Sequence, residues 1–149
     1  HLGVRIQNLQ KSVYCEHPIL NSILCERKYL AESKDISYRI TLGNDLRLDF
    51  LEELDLISIV GNLLDNALEA AEKTEDGRYV ECRMYMGNAG HFLVMEFCNG
   101  YVVPLLKDKD RYISTKRDAD SHGIGLHTGI MRVEAGEREF SVKLIFTIK

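Results

Sequence analysis

The stretch Ile57 to Lys73, ISIVGNLLDNALEAAEK, constrains the fold more than any other part of the chain. Ile57, Val60, Leu64, Ala67, Leu68 and Ala71 recur at helical spacing and form one apolar stripe, so this segment is expected to be a helix laid against a core. At about 100° per residue, Asn62 and Asn66 fall together one turn apart, nearly opposite that stripe, with Asp55, Asp65 and Glu69 beside them. A solvated polar face accounts for either asparagine alone. Two asparagines inside one helix nevertheless carry a propensity cost, and Ile59 and Leu63 interrupt the polar face. Paired amides bordered by carboxylates also suit a hard cation and the oxygens of its ligand.

With 149 residues, 45% of them hydrophobic and 28% charged, the chain has the length and composition of one soluble globular domain. A net charge of −4 leaves no basic footprint, so no nucleic-acid partner is expected. Cys15, Cys25, Cys82 and Cys98 show no CxxC spacing and read as free thiols of a reducing compartment. No apolar run approaches the roughly 18 to 20 residues that cross a bilayer. No signal-peptide pattern is present, and a soluble segment of a membrane protein remains compatible with the chain.

Taken in order, residues 1–13 read as the tail of an upstream linker or helix. Pro18 sits where a first-turn proline is tolerated, and an amphipathic helix follows to Glu32. Ile36 to Leu42 alternates as a strand. Leu46 to Leu54 is a loop leading to the central helix, with Asp55 its expected N-cap. Thr74 to Gly77 is that helix's exit turn. Tyr79 to Met86 and His91 to Cys98 form a hairpin across Gly87-Asn88-Ala89-Gly90, and Leu93, Met95, Phe97 and Asn99 share one strand face. Gly100 to Ser121 has no sustained periodicity, the mark of a functional loop such as a lid. Gly123-Ile124-Gly125 is expected to open a helix running through Leu126, Ile130 and Val133, and Phe140 to Ile148 is a final strand. Paired strands with helices able to cover one face give an α+β two-layer sandwich.

Several pieces could carry chemistry. Two glycines ahead of a helix, in Ser121-His122-Gly123-Ile124-Gly125-Leu126, leave free N–H groups where phosphate binds readily, although an ordinary turn has the same look. The dinucleotide fingerprint fails because Thr128 holds the third glycine position, and no P-loop occurs. Ser114-Thr115-Lys116 offers two hydroxyls and a cation, or simply a solvated loop. Asn99 could hydrogen-bond a heterocycle or merely begin an Asn-Gly turn. The five histidines do not cluster at zinc-ligand spacing, and no Ser-His-Asp or Cys-His set can be assembled.

The order of these pieces is more specific than any one of them. An Asn-x-x-x-Asn helix, a hairpin ending in an amide, a charged loop and HGIGL opening a helix resemble the GHKL ATPase superfamily. GNLLDNALEAA (61–71) with RYISTKRDADSHGIGL (111–126) looks like the peptide-quorum-sensor branch of its sensor histidine kinases. The resemblance implies an ATP-binding catalytic domain over residues 14–149, of the Bergerat type. Its mixed, mostly antiparallel sheet would be covered on one face by helices, with a long ATP lid. It implies that Asn62 and Asn66 form the N box and hold Mg2+, and that Asn99 meets the adenine amino group. His122, Gly123, Ile124, Gly125 and Leu126 would form the second glycine box at the phosphates, and Ser114, Thr115 and Lys116 the lid triplet. No catalytic nucleophile is implied within the chain.

By the same resemblance, the γ-phosphoryl of Mg-ATP would pass to a histidine on an upstream dimerisation domain, with a response regulator as further partner. The full-length protein would be a membrane-anchored homodimer whose cytoplasmic portion includes this domain. Two departures stand out. Asn99-Gly100-Tyr101-Val102-Val103 lacks the Asp-x-Gly-x-Gly pattern of the first glycine box. Arg132-Val133-Glu134-Ala135-Gly136 runs almost directly into the last strand, so about ten residues and an extra strand are expected to be missing. They keep open an alternative: a non-catalytic interaction domain with a decayed nucleotide site that binds a partner kinase or response regulator.

Overall fold

The computed structural model describes residues 13–102 and 129–148. The first helix, α1 (Pro18–Ser33), starts where expected, with Pro18 in its first turn and His17 as N-cap, the ring Nδ1 accepting from the Leu20 N–H at 3.3 Å. β1 (Ser37–Leu42) follows, and then α2 (Glu53–Glu72), the central helix. Its start differs from expectation: Glu52 is the N-cap, without a side-chain capping bond, and Asp55 lies inside the first turn. An acidic group there still meets the positive end of the helix dipole. Ile57 also departs from the expected stripe. It is 43% exposed, while Leu56 at 1% takes the core position, four residues ahead of buried Val60 and eight ahead of buried Leu64 on one helix face.

β2 (Tyr79–Gly87) and β3 (Phe92–Gly100) form the expected hairpin, and Asn88 and Ala89 both have positive φ in its turn. The final strand β5 (Glu139–Thr147) agrees with expectation. The segment before it does not. Gly129–Ala135 is a strand, β4, antiparallel to β5, rather than the end of a helix through Ile130 and Val133. Burial there alternates, with Met131 buried and Val133 half-buried between exposed Ile130, Arg132 and Glu134. A period of two is that of a strand with one face on a core. The strand expected to be missing is therefore present, joined to β5 through Gly136, whose N–H donates to the Glu139 carbonyl at 2.8 Å.

The sheet order is β1-β2-β3-β5-β4; β1 and β2 are parallel across the α2 crossover, and every other neighbouring pair is antiparallel. One core contains the inward faces of α1 and α2 together with Val80, Cys82, Met84, Met95, Phe97 and Leu144 from the sheet. Both helices thus cover one face of a mixed sheet, the two-layer α+β arrangement the sequence implies. The helices run side by side in the same direction: Arg27 pairs with Asp65 and Lys34 with Glu72, each across 38 residues. At their far ends, the Arg78 guanidinium donates to the carbonyls of Lys34 at 3.0 Å and Thr74 at 2.7 Å, tying both helix exits to the start of β2.

Candidate functional site

The site is built from the C-terminal half of α2 and the end of β3. Alternation along β3 turns Leu93, Met95, Phe97 and Asn99 toward the helices. Asn99 stands between Val80 and Phe140 in the sheet register and is 2% exposed. Its Nδ2 donates to the Gly100 carbonyl at 3.0 Å. A buried amide needs such a partner, and the bond fixes the plane of the side chain.

Across from it, α2 presents Leu63, Asn66, Ala67 and Ala70 to a cavity of about 50 Å³ whose sheet side includes Phe97, Asn99, Met131 and Phe140. The alanines keep the helix wall thin, and the aromatic and aliphatic side chains make the space mainly apolar, with one amide from each layer. A complete small-molecule site occupies several hundred Å³, so these residues form the base of one. A larger open hollow of about 510 Å³ lies beside His17 and residues 48–54 and contains none of the three amides. Its size is surface relief around an acidic loop, whereas the smaller cavity holds convergent polar groups.

The structure therefore brings Asn66 and Asn99 together. Asn62, exposed one turn earlier on α2, does not line the cavity. Ser114, Thr115, Lys116 and the run His122 to Leu126 lie outside the described residues, as does nearly all of the expected lid. The cavity walls Ala67, Ala70 and Phe140 carried no chemical signal in the sequence. Met131 and Val133 were hidden by the helical reading of their segment.

The stretch Asn99-Gly100-Tyr101, where the glycine pattern is lost, is fixed by its surroundings. A Cβ on Gly100 would lie 2.8 Å from the Gly77 carbonyl oxygen and 3.2 Å from the Tyr79 ring, so the glycine is required where the β2 entry crosses β3. Tyr101 is buried, its hydroxyl donates to the Gly136 carbonyl at 2.6 Å, and its ring meets Phe140 edge-on at 5.6 Å. These bonds pin the end of β3 to the β4–β5 turn, next to the cavity.

The opposite face of the sheet carries charge instead. Glu96 is buried beneath Arg83 and Lys143 and accepts from the Tyr85 hydroxyl at 2.9 Å. Burial pushes its carboxyl up, but hydrogen bonds from Tyr85 and Lys143 and the nearby cations outweigh that and hold it below the usual carboxylate range. All four cysteines are thiols rather than disulfides, as expected, and burial raises each of them, Cys98 to about 11, so none is a ready thiolate nucleophile.

Helices on one face of a mixed sheet in this strand order are the architecture implied by the motifs, and comparison with known proteins agrees on that fold. The chain belongs to the GHKL domain family, whose pattern matches residues 51–145. It is 37% identical over 82 residues to the sensor histidine kinase DpiB of Escherichia coli (strain K12), a match covering 52% of this chain and 15% of DpiB. The chain thus spans a small part of that relative's length. Among solved structures, a nucleotide-free catalytic domain of the histidine kinase ThkA superposes with a TM-score of 0.63 at 18% identity, covering 86% of this chain and 91% of that one. Full-length ShkA in complex with AMPPNP gives 0.61 at 16% identity, over 89% of this chain and 30% of that one. At these identities the structural likenesses establish the fold. The family rests on the GHKL pattern over residues 51–145, and these comparisons do not reach the peptide-quorum-sensor branch.

Proposed function

We propose that this chain is the ATP-binding domain of a sensor histidine kinase and presents the γ-phosphoryl of Mg-ATP to a histidine on a separate dimerisation domain. The observation that carries this reading is the cavity that Asn66 and Asn99 share between α2 and the sheet. Asn99 at its base would hydrogen-bond the edge of the adenine, between Phe97, Phe140 and the small residues of α2. Asn66 and Asn62 continue along α2 toward the phosphates. Their neutral amide oxygens fit Mg2+, a hard cation that takes few protein ligands and keeps phosphate oxygens and water as the rest. When bound, Mg2+ would neutralise charge on the phosphates.

By the motif resemblance, His122, Gly123, Ile124, Gly125 and Leu126 contribute phosphate-binding N–H groups, and Ser114, Thr115 and Lys116 contribute lid contacts. The chain's contribution to catalysis is then positioning and charge neutralisation, with no nucleophile of its own. The domain spans 14–149, with 1–13 the tail of an upstream linker or helix. Its partners are an upstream histidine-bearing dimerisation domain, a second copy of the full-length protein and a response regulator. Among the described residues no helix is long and apolar enough to cross a membrane, and the domain is read as the cytoplasmic part of a membrane-anchored sensor.

Phosphotransfer in the full-length protein tests the reading. Asn66→Asp, an isosteric change on an exposed helix face, is expected to abolish histidine phosphorylation and leave the far-UV spectrum unchanged. Normal phosphorylation in that variant would remove Asn66 from the Mg2+ site.

A further inference from the structure

The N-box helix is gripped from outside the cavity by α1. Arg27 reaches Asp65 with both arms of its guanidinium, Nε to Oδ1 at 3.1 Å and Nη2 to Oδ2 at 3.2 Å, and its side chain is only 18% exposed. Such a two-pronged pair fixes geometry as well as charge. The path of the arginine runs over Gly61, one turn before Asp65 on α2. A Cβ on Gly61 would lie 3.2 Å from Nη2. Helix interiors disfavour glycine, so its position beneath the guanidinium points to the approach of Arg27 as the reason for it. Asp65 directly precedes Asn66 and lies three residues after Asn62, which makes it the carboxylate within one turn of both amides. At helical spacing it stands about 60° round the axis from Asn62, on the side away from Asn66.

We propose that Arg27, which also reaches Glu26 through Nη1 at 2.9 Å, is a positioning residue for nucleotide binding: by pairing with Asp65 and holding it toward α1, Arg27 keeps this carboxylate away from the polyphosphate that Asn62 and Asn66 face. The inference rests on the nucleotide-binding reading above. Without Arg27, Asp65 is an anion beside a polyanionic ligand and a rival oxygen donor for its cation. Glu69, a turn further along α2, is exposed and lies within one turn of Asn66 only.

The test is titration of the full chain and its variants with Mg-AMPPNP at low and high salt, with thermal melting of each sample. Arg27→Ala is expected to weaken binding about three- to tenfold at low salt, and less at high salt where the added repulsion is screened. The double variant Arg27→Ala/Asp65→Asn is expected to return to within about twofold of wild type, and Asp65→Asn alone to stay there. A purely structural clamp predicts something else: the double variant melts early and binds as weakly as Arg27→Ala. That result, or an Arg27→Ala variant that binds like wild type, overturns the proposal. Should Arg27→Ala not fold, Arg27→Gln takes its place with the same expected order. Failure of wild type itself to bind would count against the nucleotide reading instead.

Discussion

Gly100 shows how a residue that the glycine pattern leaves unspecified can still be fully constrained. Its missing side chain makes room for the Gly77 carbonyl, a backbone atom that cannot rotate away, and for the Tyr79 ring. Gly100→Ala is therefore expected to destabilise the domain by about 1 to 3 kcal/mol, read as a lower urea midpoint at unchanged slope. Glu96 makes the second residue-scale argument. Because its folded value is lowered below the ordinary carboxylate value, its contribution to stability is present above that ordinary value and is lost as pH falls through the lowered one. Acid titration of wild type should show this loss, and Glu96→Gln should remove that part of the pH dependence while lowering stability at neutral pH. Equal acid sensitivity in the two proteins would contradict the assignment of Glu96 as a paired, ionised group.

Among the elements, α2 and β4 are opposite cases. The sequence of α2 repeats at helical spacing over many residues, so its type and polar face could be read directly, and only its first turn was misjudged. In β4, Ile130 and Val133 are three apart, which mimics a helical stripe over so short a segment. The strand places Met131 on the core and turns Ile130 outward, 9% and 53% exposed respectively. Met131→Ala is accordingly expected to cost about 2 kcal/mol, and Ile130→Ala less than about 1 kcal/mol. Denaturant unfolding of both variants checks the assignment, since a helix with Ile130 and Val133 inward reverses the order. The β2–β3 hairpin was legible from its turn residues. The positive φ of Ala89 was not, since alanine carries no preference for it.

For the molecule as a whole, the two-layer arrangement followed from which segments alternate and which repeat every three to four residues. What the residues could not show was the pairing between layers. That Asn66 of α2 and Asn99 of β3 face one cavity depends on the strand order and on the rotation of α2, both set by contacts distant in sequence. Asn62 looked equivalent to Asn66 in the sequence, and the fold separates them by placing only Asn66 on the cavity wall. The lid triplet and the second glycine run still rest on their motifs. The central claim is that this cavity is the base of a Mg-nucleotide site. Its most direct test is an NMR titration of the folded chain with Mg-AMPPNP, following the side-chain amides of Asn66 and Asn99. Saturable shifts of both, with those of Asn99 lost when Mg-AMPPNP is replaced by Mg-triphosphate, are the predicted result. A folded sample in which neither amide responds up to millimolar nucleotide would contradict it.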